Sequence, residues 1–123
     1  MTKKILVVDD DMDFVRLLTL RLKANNYEVA VAYDGLQAIE RAHKEKPDLI
    51  LLDLKMPAGG GLTVYENLRL SSETTGTPVI FITAYPSEDT KKKVMQKGAA
   101  DFVSKPFDPE DLLLKVKKAL GEV

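Results

Sequence analysis

Three continuous apolar runs, Ile5-Leu6-Val7-Val8, Ile50-Leu51-Leu52 and Val79-Ile80-Phe81-Ile82, constrain this chain more than any other feature. None alternates with polar residues, so each suits a strand buried on both faces. Such a sheet needs helices on both sides, and the intervening segments can supply them. Phe14, Leu17, Leu18 and Leu22 recur at helical spacing up to Asn25-Asn26. Val29 and Val31 mark a short strand closed by Asp34-Gly35, and Leu36, Ile39 and Ala42 a helix that stops before Pro47. Beyond the second apolar run lies a loop with Pro57, Gly59, Gly60 and Gly61. Leu62, Val64, Tyr65, Leu68 and Leu70 then mark a third helix.

Ser71 to Pro78 is polar and turn-rich. Ser87 to Lys97 is helix-compatible, with Gly98 as its C-terminal stop. Its apolar stripe is only Val94 and Met95, which predicts the least firmly anchored helix. Ala100 to Val103 is the last strand. Asp108-Pro109 then reads as an N-cap followed by proline at the first helical position. Leu112, Leu113, Val116, Ala119 and Leu120 give the final helix its core face. Five strand–helix alternations argue for one α/β domain with a doubly wound parallel sheet.

Composition removes several function classes. A formal net charge of -1 over 123 residues gives no bulk attraction to nucleic acid or anionic membrane. With no cysteine, disulfide frameworks, thiolate metal sites and cysteine nucleophiles are excluded. The four apolar residues after Lys4 are too few for a signal-peptide core, and no run approaches a membrane span. A reducing cytoplasm is the expected compartment.

The chemistry concentrates where the strands end. The first run stops at Asp9-Asp10-Asp11 and the second at Asp53, while Thr83 and Lys105 follow the last two strands. Ligand sites in such sheets lie beyond the carboxyl ends of the strands. Adjacent strand residues point to opposite faces, so Asp9 and Asp10 share a site only if the strand has already ended. If the strands carrying Asp9, Asp10 and Asp53 are neighbours, three carboxylates meet and raise one another's pKa. A hard divalent cation relieves that repulsion, and Mg2+ suits a few carboxylates plus retained waters. With Lys105 and Thr83 on the same rim, the ion would complete a place for a phosphoryl group.

Four segments carry a family resemblance: Val7-Val8-Asp9-Asp10-Asp11, Leu51-Leu52-Asp53-Leu54-Lys55-Met56-Pro57, Phe81-Ile82-Thr83-Ala84 and Phe102-Val103-Ser104-Lys105-Pro106-Phe107. Each alone is weak, but four in order, each ending an expected strand, are specific. Over residues 1–123 the chain resembles a receiver domain of the two-component response regulators. The resemblance implies the flavodoxin-like strand order 2-1-3-4-5 with five helices. It implies that Asp53 accepts a phosphoryl group from a histidine kinase or histidine phosphotransfer protein. It also implies Mg2+ held by Asp10, by Asp9 through a water, by Asp53 and by the Lys55 carbonyl. Lys105 and Thr83 would bind phosphoryl oxygens, and Phe102 would be the switch aromatic that turns inward with Thr83. The Lys105–Pro106 bond is expected to be cis, and helix four, strand five and helix five to face a downstream partner. An acid commonly stands where this chain has Gly60, which removes no catalytic group.

Plainer roles compete for single residues. Phe102 also reads as ordinary core. His43 and the run Lys91-Lys92-Lys93 read as solvated helix faces. Among whole-chain alternatives, a hydrolase of the haloacid-dehalogenase type needs a second acid two residues after the nucleophile, and Lys55 stands there. A receiver module from a longer kinase or regulator, and a pseudo-receiver that binds partners without phosphorylation, are the remaining alternatives to a free-standing regulator.

Overall fold

The computed structural model describes residues 2–56 and 60–122. Pro57 and Gly59 of the expected glycine loop lie outside them. Five strands form one parallel sheet: β1 (Lys4–Val8), β2 (Glu28–Ala32), β3 (Leu49–Asp53), β4 (Val79–Thr83) and β5 (Asp101–Ser104). Their order is β2-β1-β3-β4-β5. The helices are α1 (Met12–Ala24), α2 (Gly35–Glu45), α3 (Gly60–Arg69), α4 (Glu88–Gln96) and α5 (Pro109–Ala119).

Strand alternation divides the core into two layers. Leu6, Val8, Ile50, Leu52, Val79, Phe81 and Phe102 pack with Ala38, Ala42, Val64, Tyr65, Leu68 and Val94 of α2, α3 and α4. Ile5, Val7, Leu49, Leu51, Ile80, Ile82 and Val103 pack with Val15, Leu18, Leu22, Leu112 and Val116 of α1 and α5. Every residue of β3 and β4 is buried, as unbroken apolar runs require. Asp11, Asp34, Ser87 and Asp108 cap α1, α2, α4 and α5 through side-chain oxygens that accept backbone N–H bonds.

Several expected core positions face solvent instead. Leu17 and Leu36 are exposed, and Val15 and Ala38 take their places against the sheet. Leu70 lies beyond the end of α3, and Met95 is exposed on α4. Val94 is therefore the one buried residue of α4, which fits its thin stripe. A Tyr65 hydroxyl bond to the Lys97 carbonyl, 2.9 Å, secures the far end of this helix to α3.

The start of α3 leans directly on the end of β3. Gly61 donates to the Leu54 carbonyl at 2.9 Å, and a Cβ on Gly61 would collide with the Asp53 carbonyl oxygen. Backbone cannot yield as a side-chain tip can. Gly61→Ala is therefore expected to cost about 2–3 kcal/mol of stability. Urea denaturation measures this, and a midpoint equal to wild type would contradict the close approach.

Candidate acidic site at the strand ends

β1 ends at Val8, so Asp9 and Asp10 sit in the turn before α1, where both can reach one side. Asp9 donates its backbone N–H to the Ala32 carbonyl at 3.1 Å, which holds this turn against β2. Val8 pairs with Leu52, which brings the turn beside Asp53. Carboxylate oxygens of Asp9, Asp10 and Asp53 lie within 4.8 Å of one another. Asp9 and Asp53 are buried, whereas Asp10 is open to solvent. Asp53 is only 5% exposed. Its position as the last residue of a strand buried on both faces explains that.

The buried charges are incompletely compensated. Lys105 reaches Asp9 Oδ2 at 2.6 Å, while Asp9 Oδ1 accepts the Asp11 N–H at 2.9 Å. Among the described residues, Asp53 accepts the Lys55 backbone N–H, 3.2 Å from its Oδ1, and no ammonium contacts it. Loss of hydration, reinforced by the Asp9 charge, outweighs that bond and the more distant Lys105. The Asp53 carboxyl is pushed up from 3.8 to about 6. Three oxygen ligands with excess negative charge are the donor set of a hard cation, so these residues fit Mg2+.

The remaining expected residues lie on or just beyond β3, β4 and β5. Thr83 ends β4, buried, and its hydroxyl accepts the Tyr85 N–H at 3.1 Å. The Thr83 carbonyl accepts the Lys105 N–H at 2.7 Å, which ties the ends of β4 and β5 together. Lys55 is exposed, with its ammonium 5.3 Å from the centre of the Tyr85 ring. Phe102 points away from the acids, into the layer beneath α2, α3 and α4. The Lys105–Pro106 bond is cis. His43 lies away from this site, on α2, 3.5 Å from Glu73, and Lys91, Lys92 and Lys93 are all exposed.

Two neighbours take roles at this site that their motifs do not assign. Asp11 caps α1 by accepting the Phe14 N–H at 3.1 Å, a role legible in an acid placed just before a helical stripe. Phe14, at helical spacing with the α1 core residues, is only half-buried, and its ring centre lies 4.1 Å from the Lys105 ammonium. No periodicity argument identifies that contact.

Protonated Asp53 suits the native state better than ionised Asp53, so its contribution is most favourable below the unfolded value of 3.8. That contribution is lost as pH rises through about 6. The full displacement corresponds to roughly 3 kcal/mol. In Mg2+-free buffer at pH 7, Asp53→Asn is expected to be more stable than wild type by about 2 kcal/mol, with a flatter dependence between pH 4 and 7. Parallel denaturation curves for the two proteins across that range would contradict this.

Known proteins share both the fold and the sequence pattern. The family model for the response regulator receiver domain matches residues 5–117. The chemotaxis protein CheY4 of Vibrio cholerae is 32% identical, with 98% of this chain and 100% of that chain covered at a TM-score of 0.91. A CheY-like receiver domain protein of Methanospirillum hungatei is 30% identical, covering 99% and 96% at 0.90. The BeF3-activated N-terminal receiver domain of Klebsiella pneumoniae RstA is 31% identical, covering 95% and 97% at 0.88. The strand order, the acids at the strand ends and a family match over nearly the whole chain lead to one conclusion: this chain belongs to the response regulator receiver domains.

Proposed function

We propose that Asp53 is the phosphoacceptor of a two-component relay, and that the phosphorylated domain signals to a protein partner. The observation that carries this reading is the cluster itself. Two buried acids and a third at the rim meet at the carboxyl edge of the sheet, with the Lys105 ammonium on Asp9. The donor would be a phosphohistidine on a histidine kinase or histidine phosphotransfer protein. An Asp53 carboxylate oxygen attacks phosphorus, the P–N bond breaks, and its electron pair returns to the departing imidazole. The product is an aspartyl phosphate.

The residues present would hold Mg2+ through Asp10, Asp53, the Lys55 carbonyl and a water on Asp9. When bound, the ion supplies positive charge to the transferring phosphoryl oxygens. Lys105 leaves Asp9 for a phosphoryl oxygen, and Thr83 turns its hydroxyl from the Tyr85 N–H toward another. Phe102 is already buried, so phosphorylation would favour an existing inward arrangement over alternatives rather than create it. The downstream partner would read the face formed by α4, β5 and α5. The lightly anchored α4 supports that choice. A cytoplasmic setting suits this chemistry, and no described helix is long and apolar enough to cross a membrane.

Intact mass after incubation with acetyl phosphate tests the reading. Wild type with Mg2+ is expected to gain one phosphoryl group. Asp53→Asn, or wild type with chelator, is expected to gain none. Uptake by neither protein in any condition would replace the reading with a phosphorylation-independent binding module. Lys105→Ala with Mg2+ is expected to slow uptake by about tenfold or more, comparable with removing one preorganised charge from a transfer site.

A further inference from the structure

Four contacts around the acidic site form a closed circuit. Asp9 Oδ1 accepts the Asp11 N–H at 2.9 Å, and Asp11 Oδ1 accepts the Phe14 N–H at 3.1 Å. The Phe14 ring centre lies 4.1 Å from the Lys105 ammonium, which reaches Asp9 Oδ2 at 2.6 Å. Phe107, two residues beyond Lys105, meets the Phe14 ring edge-on at 5.7 Å and 83°. The loop carrying Lys105 therefore contacts one α1 ring twice. That ring is placed by the same capping turn that places Asp9.

Lysine is a flexible point charge on a four-carbon stem and does not hold one direction unaided. On the acceptor reading it must release Asp9 and find a phosphoryl oxygen. An aromatic face attracts an ammonium without offering an acceptor atom that would compete with phosphate. We infer that Phe14 is a positioning residue for phosphoryl transfer, its ring confining the Lys105 ammonium to the space between Asp9 and the acceptor Asp53. This rests on the acceptor reading above and extends it to a residue outside the acid cluster. Phe107 backs the ring and keeps it in place.

Volume and π character can be separated by substitution. Phe14→Leu keeps an apolar side chain without the ring face, whereas Phe14→Tyr keeps the face. Phosphoryl uptake from acetyl phosphate with saturating Mg2+ is expected to slow about three- to tenfold in Phe14→Leu and to stay within about twofold of wild type in Phe14→Tyr. Proton NMR supplies a readout independent of transfer. The Lys105 ε-methylene resonances are expected to be displaced upfield by the ring in wild type and Phe14→Tyr, and to return to ordinary lysine positions in Phe14→Leu. Thermal melts identify any rate loss caused by unfolding, and Phe107→Leu, expected to reproduce part of the loss, provides a second variant if Phe14→Leu folds poorly. Equal uptake by wild type and Phe14→Leu, or ordinary Lys105 shifts in folded wild type, would overturn the inference while leaving Asp53 as acceptor. Absence of uptake by wild type would overturn the acceptor reading and the positioning role together.

Discussion

The balance of charge at the carboxyl edge of the sheet governs this molecule. Asp9 and Asp53 are both withdrawn from water, and Lys105 gives its close contact to Asp9. A buried carboxylate without a cation is costly, so the imbalance falls on Asp53 and raises its pKa. A domain built for stability alone would replace such acids with apolar side chains. Retaining them leaves three clustered carboxylates whose donor set fits a divalent cation.

The fold delivers this imbalance through strand parity. Leu49 and Leu51 face α1 and α5, and Asp53 continues their alternation at the end of β3. Asp9 follows Ile5 and Val7 in the same way, and Lys105 follows Val103. All three chemical groups therefore emerge on the α1 side, where Phe14 can meet Lys105. Thr83 continues the opposite parity, from Val79 and Phe81, and borders the cluster from the layer that contains Phe102. A shift of one residue in any of these strands would send its functional group to the wrong face.

Much of this is legible in the sequence. Continuous apolar runs identify doubly covered strands because both faces must be dry, and the acids that end them stand out against such runs. Strand order was not legible from periodicity, since alternation fixes which elements exist but not which are neighbours. The order came from the family resemblance. Helix faces were read less well: Leu17 and Leu36 match the helical spacing, yet the smaller Val15 and Ala38 sit closer to the sheet. Spacing identifies a stripe but leaves its rotation open by about one residue. Burial of Asp53 and the contact of Phe14 with Lys105 depend on tertiary packing, for which a single sequence has no local signature.

Carboxyl carbon NMR of Asp53, followed through pH with and without Mg2+, reads this charge imbalance at its source. Titration is expected near pH 6 in the metal-free protein, with a shift to clearly lower pH when Mg2+ is present. Titration near the ordinary aspartate value of about 4, unchanged by Mg2+, would contradict it.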